Sequence, residues 1–162
     1  GVVAAARQFF KLPEDPRRLN IVIGDGAEFV AHNRQNYDLV LVDGFDENAR
    51  TGRLNTTPFY QSVRGLLSDE GIMTVNLLGG SRNFAASVER IRNVFNERAI
   101  TFPSCDSGNT IAFATQGEPI HIALDDLKEA ALTLKTSTSL NLLSTLTRLE
   151  NAQTCTGGIL RL

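Results

Sequence analysis

The sequence predicts an α/β fold, with a mostly parallel sheet flanked by helices and C-terminal helices after it. Two observations support this. Strand-like and helical patterns alternate from residue 1 to about residue 115, which is typical of a layered α/β domain. The clearest strand, residues 39–42, is an unbroken aliphatic run, as in parallel strands that are covered on both faces. After Pro119 the pattern is helical only, so we expect an α/β domain over residues 1–118 and a C-terminal helical extension over residues 119–162.

The first half of the chain contains two predicted helices and two predicted strands. Apolar residues at helical spacing predict a first helix over residues 2–10, which ends before Pro13. Residues 19–23 form a short apolar run before a Gly-Asp-Gly turn and predict a buried strand. A short helix over residues 27–33 follows that turn and leads to the strand at residues 39–42.

The second half begins with a strong helix-start signal at Thr57 and Pro58, an N-cap oxygen followed by a proline at the first helical position. Residues 68–71 then predict a turn. The tail from Asn151 has no periodicity, and we expect it to be mobile. The remaining predicted elements are strands at 72–77, 100–102 and 110–114 and helices at 84–95, 124–134 and 142–149.

Composition excludes several classes of protein. The 162 residues carry 16 Lys and Arg against 18 Asp and Glu, a net charge of -2, so there is no basic excess for nucleic acid. No apolar run is long enough to cross a membrane, and we expect no membrane partner. The two cysteines, Cys105 and Cys155, fit a reducing cytoplasm, where we expect them to serve in packing. Because the chain opens with Gly1 and not Met, we expect a fragment or the remainder of a cleaved tag.

Acidic residues follow two of the predicted strands, where open parallel sheets bind their ligands. Asp25 comes directly after residues 19–23, between two glycines, and Asp43 comes directly after residues 39–42. Asp46 and Glu47 follow Asp43 closely. The negative charges of three such carboxylates repel one another unless a cation or water is bound among them. The alternative is structural for both sites, because Asp-Gly is a common turn pair and a strand-end aspartate often caps the next helix.

Other chemistries have weaker support. Gly24 and Gly26 after a strand suggest a dinucleotide fingerprint, but Phe29 occupies its third glycine position. His32 and His121 have no partner at ligand or triad spacing, and we expect both to be surface or capping residues. Neither cysteine lies beside a histidine in the sequence. The sequence therefore favours neither nucleophilic nor metal catalysis, and we expect no bound metal.

The order of several motifs over residues 2–115 resembles the spermidine synthases. More closely, it resembles the bacterial spermidine synthase-like proteins of the polyamine aminopropyltransferase group. The motifs that carry the resemblance are Val-Val-Ala-Ala-Ala-Arg-Gln-Phe-Phe at 2–10, Leu-Pro at 12–13, Asp-Pro-Arg at 15–17, Gly-Asp-Gly at 24–26, Tyr-Asp-Leu-Val-Leu-Val-Asp at 37–43, Phe-Tyr at 59–60, Leu67 and Gly71.

The resemblance implies a methyltransferase-like (Rossmann-like) sheet and a role for each candidate acid. Asp25 matches the acid that hydrogen-bonds the adenine amino group, with Gly26 near the ring. Asp43 matches the catalytic base, and Asp46 matches the acid that holds an amine of the acceptor. The implied co-substrate is decarboxylated S-adenosylmethionine, or S-adenosylmethionine in a methyltransferase. The implied partner is a small polyamine such as putrescine, with no metal and with a homo-oligomeric assembly.

The sequence departs from the family pattern in two ways. The family motif usually reads Asp-Ser-Ser-Asp-Pro, whereas Gly44, Phe45 and Glu47 take the other three places here. The glycine-rich loop, the ribose-binding acid and two central strands of the family lie upstream of the helix at Val2. We therefore expect this stretch alone not to bind an adenosyl cofactor tightly, and to belong to a longer chain or be completed by another chain. An S-adenosylmethionine-dependent methyltransferase and a non-catalytic ligand-binding homologue remain alternatives.

Overall fold

A computed structural model describes residues 1–45, 51–103, 108–151 and 154–162. The elements of the first half are α1 (Val2–Phe9), α2 (Gly26–His32), β1 (Tyr37–Val42), a 3₁₀ turn (Gly52–Asn55), α3 (Thr57–Leu66) and β2 (Leu67–Leu78). Those of the second half are α4 (Phe84–Val94), β3 (Ala99–Thr101), β4 (Asn109–Thr115), β5 (His121–Ala123), α5 (Leu124–Thr138), α6 (Leu143–Asn151) and β6 (Ile159–Arg161).

Over the residues that the structure describes, the main sheet has four strands in the order β1-β2-β4-β3. β1 is parallel to β2, and β4 is antiparallel to both of its neighbours, β2 and β3. Three strands therefore run in one direction and only β4 runs against them. This arrangement, with its flanking and C-terminal helices, confirms the predicted α/β fold with a mostly parallel sheet.

The core lies between one face of this sheet and helices α3 and α4. Side chains of β2 alternate between this core and the opposite face, which is the burial pattern of a sheet with unlike faces. The most deeply buried core side chains come from all three elements, and each has at most 1% of its surface exposed: Tyr60, Val63, Met73, Ile91 and Phe95.

Helix α3 begins one residue earlier than predicted. Its N-cap is Thr56, whose side-chain oxygen accepts a hydrogen bond from the Phe59 amide at 3.4 Å, and Thr57 is already helical. The predicted turn at residues 68–71 is a bulge within the longer strand β2. The pairing of β1 with β2 shifts its register at this bulge: Tyr37 pairs with Leu67, but Leu39 already pairs with Ile72. The bulge turns the backbone so tightly that a Cβ atom added at Gly71 would lie 2.8 Å from the Cβ atom of Leu67.

The predicted strand at residues 19–23 is wrong. These residues form no strand, and Val22 and Ile23 are 58% and 81% exposed. A strand needs a neighbour for its backbone N–H and C=O groups. Within the described residues, β1 pairs only with β2, and no strand pairs with residues 19–23.

The C-terminal part forms its own small core. Helices α5 and α6 bury Ala131, Leu146 and Leu149 against one another, and Phe102, which follows β3, packs against this cluster. The prediction of a mobile tail is wrong at its end, because β6 pairs antiparallel with β5. A three-residue strand is too short to show periodicity, and its pairing with residues 121–123 is non-local.

Candidate functional site

Asp25 caps helix α2 with one of its two carboxylate oxygens. Oδ1 accepts hydrogen bonds from the backbone amides of Ala27 at 2.7 Å and Glu28 at 3.1 Å. The bond from the Glu28 amide is the main cause that holds the pKa of Asp25 below its usual range, and Ala27 and Arg53 act in the same direction. The structural reading of Asp25 therefore holds for Oδ1, while Oδ2 accepts no bond from the helix amides and is contacted by Arg53 instead.

Arg53, in the 3₁₀ turn, approaches that second oxygen. Its Nη1 lies 3.4 Å from Asp25 Oδ2, and its Nη2 lies 2.6 Å from Glu28 Oε1. The hydrogen bond and the charge of Glu28 raise the pKa of Arg53 further above its usual range. Sequence reasoning missed Arg53, because 28 residues separate it from Asp25 and no local motif joins the two.

Asp43 lies just past the carboxyl end of β1. Its Oδ1 accepts a hydrogen bond at 3.0 Å from Nδ2 of Asn76, which lies near the end of the neighbouring strand β2. Asn76 Oδ1 is buried and has no hydrogen-bond partner among the described residues. Buried polar atoms are rarely left unpaired, so this oxygen is a candidate acceptor for a ligand. Sequence reasoning missed Asn76, although a polar residue in the apolar run of residues 72–77 was a signal that could have found it.

Leu54 contacts the loops that carry the two acids. A Cβ added at Gly26 would lie 3.4 Å from Leu54 Cδ2, and one added at Gly44 would collide with Leu54 Cδ1. The glycine that follows Asp25 and the glycine that follows Asp43 therefore flank one leucine side chain. This contact brings the two loops together around an apolar surface, with a carboxylate on each side.

Three of the remaining candidates lie outside the described residues: Asp46, Glu47 and Cys105. His32 and Cys155 play structural roles, and His121 is exposed on β5. His32 Nδ1 lies 2.9 Å from the Glu28 carbonyl in the last turn of α2, and this fits a capping histidine. Burial, with the charge of Glu150, raises the pKa of the Cys155 thiol, which makes it a poor nucleophile.

Two classes of site have no representative in the part of the chain that the structure describes. No three His, Cys, Asp or Glu side chains come close enough together there to hold a metal ion. Over the same residues, no helix combines the length and the apolar character that a membrane crossing requires.

The comparison with known families and curated proteins covers most of the chain. The spermine/spermidine synthase domain matches residues 1–106. The polyamine aminopropyltransferase of Neisseria meningitidis serogroup A is 35% identical over 130 residues, which are 80% of this chain and 49% of that protein. The corresponding protein of Chromobacterium violaceum is also 35% identical over 130 residues, 80% of this chain and 50% of its own length. The chain thus spans about half the length of these curated relatives.

Solved structures show the same relationship. A spermidine synthase in complex with the transition state analogue AdoDATO superimposes with a TM-score of 0.61 at 29% identity, over 72% of this chain and 43% of that chain. Human methyltransferase-like protein 13 in complex with SAH gives a TM-score of 0.70 at 21% identity, over 90% and 66% of the two chains. The second likeness concerns the fold alone, and the two together confirm a methyltransferase-like fold.

Proposed function

Because the chain belongs to the spermine/spermidine synthase family, we propose that it forms the catalytic part of a polyamine aminopropyltransferase. The donor is decarboxylated S-adenosylmethionine, and the acceptor is a small polyamine such as putrescine. Residues 1–118 form the catalytic domain in this proposal, and residues 119–162 form a helical extension. The observation that carries the proposal is the pair of acids, Asp25 at the start of α2 and Asp43 at the end of β1, each followed by a glycine that contacts Leu54.

The nucleoside half of the donor binds beside Asp25 in this proposal. Asp25 Oδ1 accepts bonds from two helix amides, so the adenine amino group donates to Oδ2, whose second lone pair remains available beside the long contact with Arg53. Gly26 has no side chain and lets the ring approach the backbone, while Leu54 offers an apolar surface at the same place. The lowered pKa of Asp25 keeps the carboxylate ionised as an acceptor at neutral pH.

The chemical step takes place beside Asp43. The acceptor amine attacks the carbon next to the sulfonium, the new C–N bond forms, and the C–S bond breaks with its electron pair on sulfur. The sulfonium becomes a neutral thioether, and the proton lost by the amine goes to the Asp43 carboxylate. A positioned base of this kind contributes about 10² to 10⁴-fold to a rate. Holding the two reactants in line contributes further.

Asn76 and Asp46 support the acceptor in the proposal. The Asn76 amide holds Asp43 Oδ1, which leaves the other carboxylate oxygen for the proton of the amine. The unpaired Asn76 Oδ1 accepts a second N–H from the same amine. Asp46 binds the distal ammonium group of the polyamine. We further propose a cytoplasmic location and a homo-oligomeric assembly.

Ligand binding and product analysis together test the proposal. The protein expressed from its natural gene is titrated with methylthioadenosine, decarboxylated S-adenosylmethionine and S-adenosylmethionine, and putrescine is then added. Mass spectrometry should show methylthioadenosine and an aminopropylated amine from the decarboxylated donor. A methylated amine formed from S-adenosylmethionine would support the methyltransferase alternative instead. Binding without either product would support a ligand-binding homologue.

A further inference from the structure

The side chain of Asn55 is the centre of a polar network at the end of the 3₁₀ turn. Its Oδ1 accepts hydrogen bonds from the Tyr60 hydroxyl at 3.0 Å and from Arg90 Nη1 at 2.9 Å. Its Nδ2 donates to Ser87 Oγ at 2.7 Å. The Ser87 hydroxyl in turn donates to the Asn83 carbonyl at 2.9 Å. One carboxamide therefore ties the 3₁₀ turn to helices α3 and α4.

Two of the three partners of Asn55 are buried, while Arg90 and Asn55 itself are half-buried. Tyr60 is fully buried and Ser87 is 3% exposed. Burial raises the pKa of Tyr60 to about 12, so its hydroxyl stays protonated and donates to Asn55 at every physiological pH. Hydrogen bonds in such a poorly hydrated place are stronger than those at the surface, and leaving one partner unpaired there is costly.

The turn that Asn55 anchors carries the residues that contact the acid loops. The preceding residue, Leu54, contacts Gly26 and Gly44, and Arg53 pairs with Asp25 and Glu28. The side chains of Arg53, Asp25 and Glu28 are all about half exposed, so these two ion pairs contribute little to the rigidity of the turn. The buried network of Asn55 is the stronger anchor, and it holds the turn from the side of α3 and α4.

We propose that Asn55 is a positioning residue: through the 3₁₀ turn it fixes Leu54 between Gly26 and Gly44, and so sets the distance between the Asp25 and Asp43 loops. This inference rests on the proposed function, in which one acid holds the nucleoside and the other takes the proton of the amine. The amine beside Asp43 must lie in line with the donor carbon that Asp25 helps to place, and a displacement of about 1 Å between such groups lowers a rate about 100-fold. Asn55 itself touches no reactant in this proposal.

The test compares Asn55→Leu with a matched control, Gln116→Leu, whose hydrogen-bond partner Arg64 lies at the other end of α3. Asn55→Leu keeps the size of the side chain and removes all three hydrogen bonds. Gln116→Leu is the control, because Gln116 Oε1 accepts a hydrogen bond from Arg64 Nε at 2.7 Å in a similar half-buried network. Asn55→Asp is the conservative variant, since it keeps the acceptor oxygens and the freely rotating Ser87 hydroxyl can donate to it. The variants are made in the protein expressed from its natural gene.

Two measurements read the result. In aminopropyl transfer with a saturating amine, Asn55→Leu should lower kcat about 10- to 100-fold, Gln116→Leu should stay within about 2-fold, and Asn55→Asp should recover most of the rate. In amide NMR spectra, Asn55→Leu should shift the signals of Gly26 and Gly44, whereas Gln116→Leu should leave both in place. If Asn55→Leu is unstable, Tyr60→Phe, which removes one hydrogen bond, should give smaller shifts of the same two signals.

The two measurements separate this inference from the proposed function. Unshifted Gly26 and Gly44 signals in folded Asn55→Leu would overturn the positioning role, whatever the activity. A loss of kcat equal to that of Gln116→Leu would also overturn it. Shifted signals in a protein that transfers no aminopropyl group would support the positioning role and contradict the proposed function.

Discussion

At the scale of single residues, Asp43 is the group on which the proposed proton transfer depends. Asp43→Asn keeps the shape and can still meet the Asn76 side chain, but an amide cannot take a proton from the amine. We expect kcat to fall by about 10² to 10⁴-fold while methylthioadenosine binding changes little. Steady-state kinetics and calorimetry measure the two quantities. Asp38→Asn is the control, because Asp38 lies on the same strand and accepts a hydrogen bond from Ser68 Oγ at 2.8 Å. Full turnover of Asp43→Asn with saturating amine would contradict the assignment.

Asp46 lies outside the described residues, and its role stays a prediction from the resemblance. Asp46→Asn should raise the KM for the amine, because it removes a charge-assisted hydrogen bond that contributes about 1.5–3 kcal/mol to the binding free energy. The kcat at saturating amine should change little, because the base is still present. Initial rates over a range of putrescine concentrations check this. An unchanged KM would remove Asp46 from the amine site.

The cap that Asp25 makes predicts a pH dependence of stability. Its pKa is lowered in the folded state, so the folded protein binds the proton less tightly than the unfolded chain does. The ionised carboxylate therefore stabilises the fold above the ordinary aspartate pKa of about 4, and this contribution is lost as the pH falls through the lowered value. Asp25→Asn keeps the capping oxygen and removes the charge. Urea unfolding should show the variant less stable than the parent near pH 7, with the difference closing near pH 3. A difference that stays constant with pH would contradict this account.

The sequence revealed the two acids but not the residues that complete their surroundings. Asp25 and Asp43 each follow an apolar run directly, so a local pattern was enough to find them. The contacts of Arg53 with Asp25 and of Asn76 with Asp43 join residues 28 and 33 positions apart. No local periodicity encodes such contacts, because they depend on how the 3₁₀ turn and β2 are placed in the fold.

At the scale of elements, prediction succeeded where the local pattern and the packing agree. The run at residues 39–42 became β1, and the apolar stripe of α3 became the centre of the core. The equally apolar run at residues 19–23 formed no strand, because strand formation depends on a partner as well as on composition. The pairing of β5 with β6 could not be predicted either, since both are three residues long and the paired residues lie 36 to 40 positions apart.

The small core of the C-terminal helices gives a stability prediction for one element. Leu149 on α6 is 1% exposed in the cluster with Ala131 and Leu146. Leu149→Ala should cost about 2–5 kcal/mol, because it removes apolar contacts and leaves a cavity. Leu132→Ala is the control: Leu132 lies on α5 but is 51% exposed, so its truncation should change stability little. Denaturant unfolding measures both variants, and equal losses would show that α5 and α6 do not share the described packing.

At the scale of the whole molecule, the two faces of the sheet have different surroundings. On one face, helices α3 and α4, together with Ala27 and Val30 of α2, pack on side chains from all four strands. On the opposite face, Phe113 of β4 stacks with Phe102 at a ring-centroid distance of 4.4 Å, and the C-terminal cluster packs on Phe102. At the other side of the same face, Leu39 and Leu41 of β1 are 53% and 70% exposed. The covered part therefore ends before β1, and that edge of the sheet is apolar and open among the described residues.

This apolar edge leads to a prediction about the expected homo-oligomer. Leu39 and Leu41 alternate with Val40 and so point to one face, and β1 is an edge strand of the described sheet. An edge that combines open backbone groups with apolar side chains favours association, and a lysine on such an edge opposes it. We expect the 162-residue chain to associate as its concentration rises, and Leu41→Lys to shift sedimentation toward the smaller species without lowering Tm. Leu132→Lys places the same charge at an exposed leucine of α5 and should leave association unchanged. If both lysine variants reduce association equally, the effect is due to net charge and not to the β1 edge. If the parent chain stays monomeric at every concentration, the expectation of a homo-oligomer is wrong.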